Sequence, residues 1–367
     1  MRASGNVHQV SQNISSFPIF VDTASLPHYQ AEALVYVDAF ERQIKELFII
    51  ENKDFVGVEK SVAFASPEFA VYEAQKRGNF THVYFPWNAH LVKTVSAEDY
   101  ARLKTNRNQD LITAIEQDIL AKYRIAVLGL SVGSNIATVA TQAGISREIL
   151  LADFDELDTT NLNRILAGVH QIGINKATVA ARRIYEADPF AVVHVLQERM
   201  TAEKILPFLE AGKLDCIVDE VDDIAFKVHV RRLAMKYHIP VVMVTDNGDG
   251  VVLHVERYDL GCSTIFGKDA SYFDQYLNEP MTKEKAGRFI MEDIVGGVSR
   301  VDPAMIASVK RVLARELVSW SQLGSAALLG GVVATYIIKQ IALGKDTRLD
   351  IRAHIMPTES SVGTHTS

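Results

Sequence analysis

Arg124-Ile-Ala-Val-Leu-Gly-Leu-Ser-Val-Gly-Ser134 is the stretch on which the architecture turns. Its apolar run from Ile125 to Leu128 is too short for a helix and suits a strand buried on both faces, as in a parallel sheet covered by helices. Gly129 ends that run, and 134–142 reads as a helix. The glycine loop therefore joins the carboxyl end of a strand to the amino end of a helix, where backbone amides and the helix dipole can cradle phosphate oxygens. Gly129, Ser131 and Gly133 are the candidate loop residues. Ser131 takes the middle place of the usual three-glycine fingerprint and the third glycine is missing, so the loop alone also reads as a tight turn without a ligand.

Outward from this loop, strands and helices alternate: 148–153, 173–187, 191–197, 202–211, 215–219, 224–238 and 240–245. Such alternation predicts a Rossmann-like, doubly wound α/β fold with a mostly parallel sheet. The second strand ends in Asp153-Phe-Asp155, and Asp153 stands 24 residues after Gly129. Acids at about this spacing hydrogen-bond a ribose diol. Side chains alternate along a strand, so Asp155 points the other way and is better suited to ordering the loop. Loop and acid together fit a nucleotide without separating ATP from NAD.

The run Leu151-Ala-Asp-Phe-Asp-Glu-Leu-Asp-Thr-Thr-Asn-Leu-Asn-Arg164 resembles the signature of the ThiF, MoeB and ubiquitin-activating superfamily, and Gly173-Ile-Asn-Lys176 follows it as that signature requires. The resemblance implies ATP-dependent adenylation of a carboxylate, such as the C-terminus of a ubiquitin-like or sulfur-carrier protein or a small acid, with release of pyrophosphate. It implies Asp153 as ribose ligand, Asn161 and Arg164 as phosphate- and loop-positioning groups, and Lys176 as the cation on the transferred phosphate. Asp222, in Asp219-Glu-Val-Asp-Asp223, matches the family acid associated with Mg2+ and catalysis. Several cations converging on one triphosphate make chemical sense, because nucleotidyl transfer runs on positioning and on neutralising phosphate charge. Asn106-Arg-Asn108 resembles the helix that family dimers insert into the neighbouring subunit's site, which implies a homodimer with Arg107 acting in trans; a solvated helix charge is the plain alternative. The resemblance covers roughly 103–247 and 324–344. It extends more closely to bacterial stand-alone or nitroreductase-fused ThiF-like proteins through the Gly-Leu-Ser-Val-Gly loop. Two other readings stay open: an NAD-dependent oxidoreductase, and a degenerate nucleotide-binding interaction module.

With 367 residues the chain exceeds the roughly 250–300 at which single cores stop growing. We expect an N-terminal α/β extension over 1–95, the adenylation domain over 96–347 and a polar tail over 348–367. In the extension we expect a strand at 17–21, one helix over 26–50 with an apolar face of Leu34, Val37, Phe40, Ile44 and Phe48, and an extended piece at 82–85. A helical stretch over 96–120, capped by Ser96, follows. Net charge of −7 argues against a general nucleic-acid or anionic-membrane binder. The apolar stretch at 326–341 falls short of the roughly 20 residues that span a bilayer and reads as a buried helix. Met1–Ser16 lacks the features of a signal peptide, and two cysteines make no disulfide framework, which together predict a cytoplasmic protein. Cys216 and Cys262 cannot supply the two Cys-x-x-Cys pairs that hold zinc in many family members. Nor does either suit a thioester nucleophile, so adenylation without an intramolecular thioester is expected.

Overall fold

The computed structural model describes residues 17–345, 348 and 350–355. The expectations for Met1–Ser16 and for a disordered end beyond Pro357 lie outside the described residues. The chain divides into two units, Met1–Leu111 and Ile112–Ser367. Residues 96–111, expected with the adenylation domain, thus fall in the first unit.

In the first unit, β1 (Ile19–Val21), α1 (Leu26–Glu32), β2 (Val35–Asp38), α2 (Phe40–Glu51), α3 (Lys60–Ala63), α4 (Pro67–Lys76), β3 (Phe80–Phe85), β4 (His90–Val95) and α5 (Ala97–Thr105) follow in turn. The four strands form one sheet in the order β1-β3-β4-β2. The single helix expected over 26–50 is instead two helices flanking β2. Val35-Tyr-Val is β-prone and pairs in parallel with β4. Only the later half of the expected apolar face is buried: Phe40, Ile44, Leu47 and Phe48 pack with Phe69 and Val95, whereas Leu34 is exposed. Ser96 caps α5 by accepting the Asp99 N–H at 3.3 Å.

The second unit opens with α6 (Ala114–Lys122) and alternates through β5 (Ile125–Leu128), α7 (Val132–Gln142), β6 (Glu148–Ala152), α8 (Lys176–Ala187), β7 (Val192–Leu196), α9 (Ala202–Glu210), β8 (Cys216–Asp219), α10 (Ile224–Tyr237) and β9 (Val241–Asn247). Then come β10 (Gly250–Glu256), β11 (Thr264–Ile265), β12 (Lys268–Asp269), α11 (Gln275–Asn278), α12 (Lys283–Arg288), α13 (Pro303–Leu313), α14 (Gly324–Ala342) and β13 (Asp350–Ile355). Seven strands make one sheet in the order β13-β10-β9-β8-β5-β6-β7. Strands β5 to β9 run parallel, and β10 and β13 add an antiparallel edge. Residues 350–355, expected in a polar tail, are thus a sheet strand: Ile351 is buried and Asp350 exposed, the alternation of a half-covered edge.

By length and composition alone α14 could cross a membrane, yet it is a core helix. Ala326, Ala327, Ala334 and Ile338 are buried, and a side chain at Gly331 would stand 3.0 Å from the Asn135 backbone, so α14 and α7 meet at backbone distance. The loop-rich segment after β10 is held by an aromatic core of Phe266, Phe273, Tyr276 and Phe289 with Ile265 and Ile294. Among the described residues, no group of three or more His, Cys, Asp or Glu is placed to hold a metal. Asp293, wholly buried, accepts from Lys268 Nζ at 2.5 Å and Tyr276 Oη at 3.0 Å. Apolar burial and a paired carboxylate thus occupy the segment where the family pattern would put zinc.

Candidate active site

The carboxyl ends of β5, β6 and β8 lie level, with Leu128 in register with Ala152 on one side and Asp219 on the other. Loops leaving such an edge form the crevice in which open α/β sheets hold ligands. Gly129 has φ +88°, and a Cβ there would sit 2.4 Å from the Glu220 carbonyl oxygen, so only glycine fits between β5 and the loop after β8. At Gly133 a Cβ would lie 2.9 Å from Val127 Cγ1. Ser131, by contrast, has φ −80°, which any L residue adopts. The departure from the three-glycine pattern therefore costs no strain, and it adds a function: the Ser131 hydroxyl accepts from Arg164 Nε at 3.0 Å.

Asp153 closes the loop from the side. Its Oδ2 accepts the Leu130 N–H at 2.7 Å and its Oδ1 the Asp155 N–H at 2.8 Å. A carboxylate has about four lone-pair sites, so two backbone bonds leave capacity for a diol. Burial pushes its pKa above the ordinary aspartate value, partly offset by those amides and by Lys176. Asp155 is paired with Lys176, Oδ2 to Nζ 2.9 Å, and its carbonyl oxygen accepts the Lys176 N–H at 2.8 Å. Asn161 is buried in a one-turn helix, where its Oδ1 accepts the Asp158 N–H at 2.9 Å.

Arg164 is half-buried and reaches three ways: to Ser131, to the Thr160 carbonyl at 3.1 Å and to Asn163 Oδ1 at 2.9 Å. Its own carbonyl accepts from Asn135 Nδ2 at 3.0 Å, which ties it to α7. Burial lowers its pKa, opposed by the charges of Asp246 and Asp222, so both acids lie within its electrostatic reach. Asp222 is exposed, between the end of β8 and α10. Asp153 and Arg164 thus hold the loop directly, Lys176 joins them through Asp155, and Asp222 lies within electrostatic reach of Arg164. Arg107 belongs to the first unit, on the one-turn helix Asn106–Asn108.

Three further residues bear on the site. Asn175 caps α8 through Oδ1, 2.9 Å from the Ala177 N–H, and its Nδ2 donates to the carbonyls of Asp153 and Asp155. It fixes both acids against Lys176, and an asparagine directly before a helix was the available signal. Asp246, at the end of β9, reads in sequence as part of an Asp-Asn-Gly turn that could touch a substrate tail, and burial pushes its carboxyl up to about 6. Gln322 is the third, its Nε2 3.4 Å from Asp246 Oδ2. Neither cysteine enters the site: Cys216 and Cys262 are both buried, and burial raises the Cys216 thiol well above its ordinary value.

The family model of ThiF matches residues 103–356. The chain belongs to the ThiF family. An uncharacterised protein of Mycobacterium tuberculosis is 32% identical over 278 residues, 74% of this chain and 38% of its own length. The tRNA threonylcarbamoyladenosine dehydratase of Bacillus subtilis is 34% identical over 139 residues, 37% of this chain and 54% of its own length. The chain thus spans only about a third to a half of these curated relatives. Among solved structures, the E. coli tRNA N6-threonylcarbamoyladenosine dehydratase in complex with AMP superposes with a TM-score of 0.50 at 20% identity, covering 70% of this chain and 100% of that one. That likeness bears out the Rossmann-like ThiF fold.

Proposed function

We propose that this ThiF-family chain is an adenylyltransferase that activates a carboxylate with ATP and releases pyrophosphate. The observation that carries the reading is Arg164, braced on the hydroxyl of Ser131 inside the phosphate loop with Asp222 and Asp246 in electrostatic reach. A guanidinium so placed is a rigid fork at the phosphate-facing end of α7, a feature that hydride transfer to NAD has no use for. Asp153 holds the ribose, the first-turn amides of α7 hold phosphate oxygens, and Asn161 keeps the turn before Arg164 in shape. Lys176 leaves Asp155 for the phosphates.

The carboxylate oxygen forms a bond to the α-phosphorus while the bond to the bridging α–β oxygen breaks, and pyrophosphate leaves with that electron pair. Arg164 and Lys176 neutralise charge that grows on the phosphates in this step. A hard cation prefers carboxylate oxygen, and exposed Asp222 offers it at the sheet edge. With no three-ligand protein cage among the described residues, Mg2+ would take Asp222 and complete its shell with phosphate and water oxygens. Bound there, the ion supplies charge neutralisation across the phosphates.

The substrate is the C-terminus of a ubiquitin-like or sulfur-carrier protein, or a small carboxylate, and the enzyme is a cytoplasmic homodimer in which Arg107 completes the partner's site. An exposed apolar stripe on α14, Leu328, Val332 and Tyr336, supports a second copy on this unit. Carboxylate-dependent exchange of labelled pyrophosphate into ATP is the test. Exchange with a carrier protein or acid supports the reading; tight ATP binding without exchange for any acid would leave an interaction module instead.

A further inference from the structure

Asp246 holds a position that the phosphate chemistry does not explain. Its Oδ1 is buried and has no hydrogen-bond partner, and its Oδ2 accepts only the long 3.4 Å bond from Gln322. A buried carboxylate oxygen left unpaired costs about 1–3 kcal/mol or more, so its retention points to a donor that arrives from outside. Arg164 acts on Asp246 through charge alone: its Nε and Nη1 are directed at Ser131, Thr160 and Asn163, and the Asp246 Oδ1 receives no bond from it. The group is also held still. Asn247 beside it donates to the Arg300 carbonyl at 3.0 Å and accepts the Asp302 N–H at 2.8 Å, which pins the end of β9.

The order of strands says which part of the reaction Asp246 faces. Across the edge β9-β8-β5-β6, the ribose acid Asp153 follows β6, the phosphate loop follows β5, Asp222 follows β8 and Asp246 ends β9. A nucleotide laid over β6 and β5 leaves the β8–β9 side for the acid that attacks its α-phosphorus. Gln322 reaches into that side from the crossing segment between α13 and α14. The segment is tied down by Asn163 Nδ2 on the Gln322 carbonyl at 2.9 Å and by the Ser321 N–H on Ser308 Oγ at 2.7 Å. Its side-chain amide is an N–H donor, the kind of group that an incoming peptide link would offer.

We propose that Asp246 accepts a hydrogen bond from an N–H of the acyl substrate beside its reacting carboxylate, with the Gln322 amide as its internal stand-in. The acid is then an acylated amino acid or a peptide C-terminus, not a carboxylic acid lacking that donor. The proposal rests on the adenylation reading above and narrows its substrate class. A carboxylate acceptor discriminates strongly, because a ligand without the donor leaves the buried oxygen unpaired.

Two non-reactive mimics of the acyl adenylate test this on the full chain by titration calorimetry: 5′-O-sulfamoyladenosine carrying N-acetylglycine, and the same molecule with an ester oxygen in place of the amide N–H. We expect the amide mimic to bind roughly 10- to 100-fold tighter than the ester. Asp246→Ala should bring the two to equal affinity, and Asp246→Asn, which keeps the shape and one acceptor oxygen, should retain part of the preference. Equal binding of both mimics to the native protein, or a preference that survives in Asp246→Ala, overturns the role of Asp246 and leaves adenylation standing. If neither mimic binds more tightly than AMP, the adenylation reading itself falls. Should Asp246→Ala fail to fold, the native comparison and Asp246→Asn still decide.

Discussion

Two charge clusters flank the carboxyl end of β8, one open and one buried, and they are built on opposite rules. At the open edge, Lys176 and Asp155 pair with side chains 11% and 49% exposed, and Asp153 and Arg164 hold mainly backbone groups and a hydroxyl. In the interior, Arg231 and Asp219, the last residue of β8, are wholly buried with Nη1 2.5 Å from Oδ2, Glu256 takes the Arg231 Nε at 2.7 Å, and Lys227 lies 3.3 Å from Asp219. The Phe266 ring covers the guanidinium at 4.0 Å. Burial alone would raise the Asp219 pKa, but Lys227 and Arg231 more than offset it and hold the carboxyl below its ordinary value; on Glu256 burial wins despite Arg231, and the pKa is raised. The inner cluster has its bonds saturated and serves the fold. The outer one keeps spare capacity for a ligand, and that difference separates a structural ion network from a site.

Substitutions should part the two clusters cleanly. The largest effect belongs to Arg231→Ala, which strands Asp219 and Glu256 in the interior and should cost about 3–5 kcal/mol in urea unfolding. A loss under about 1 kcal/mol would show that the inner cluster is not the structural one. Lys176→Met should lower kcat for pyrophosphate exchange by roughly 10²–10³-fold while changing stability by no more than about 1 kcal/mol; a variant that unfolds instead would erase the contrast. Gly129→Ala touches both regions, since its Cβ would collide with the Glu220 backbone. It should cost about 1–3 kcal/mol and weaken ATP binding in parallel, so a variant with native ATP affinity would break the link between loop shape and phosphate. The smallest effect is a slope. With the Asp246 carboxyl pushed up to about 6 by burial, the folded protein keeps a proton that the unfolded chain releases near pH 4. Stability from this group therefore falls as pH rises between about 4 and about 6. Asp246→Asn should remove that portion of the unfolding profile, and an unchanged profile would place the carboxyl's titration elsewhere.

The outer cluster was largely legible because its parts lie close in sequence. Gly129, Asp153, Arg164 and Lys176 fall within one strand-helix-strand-helix passage, β5 to α8, where period and spacing bring them to one edge. Asp246 was legible only as a turn that could touch a substrate tail, because a turn-forming Asp-Asn-Gly looks the same whether its acid is solvated or buried beneath a segment 76 residues later. The inner cluster was hidden for the same reason. Arg231 and Glu256 meet only once β10 has folded back beside β9, and neither residue type nor spacing announces that. In the first unit, Phe40, Ile44 and Phe48 are the true face of α2, whereas Leu34 and Val37 continued its helical period by coincidence, and the parallel pairing of Val35–Asp38 with β4 overrode it. The strand at Asp350–Ile355 went unread because half of Asp-Ile-Arg-Ala-His-Ile is polar and it gains its stability from the neighbour it pairs with.

Gly331 pressed against Asn135 has a mechanical meaning. Asn135 lies one turn into the helix that begins at the Gly129–Ser134 loop, and its side chain also grips the arginine turn at Arg164. A tilt of α14 by a few tenths of an ångström has no compressible side chain to absorb it at that crossing, so it travels straight into the loop and the guanidinium. A side chain added at Gly331 would have to displace Asn135, and with it the amide that holds the Arg164 turn beside the loop.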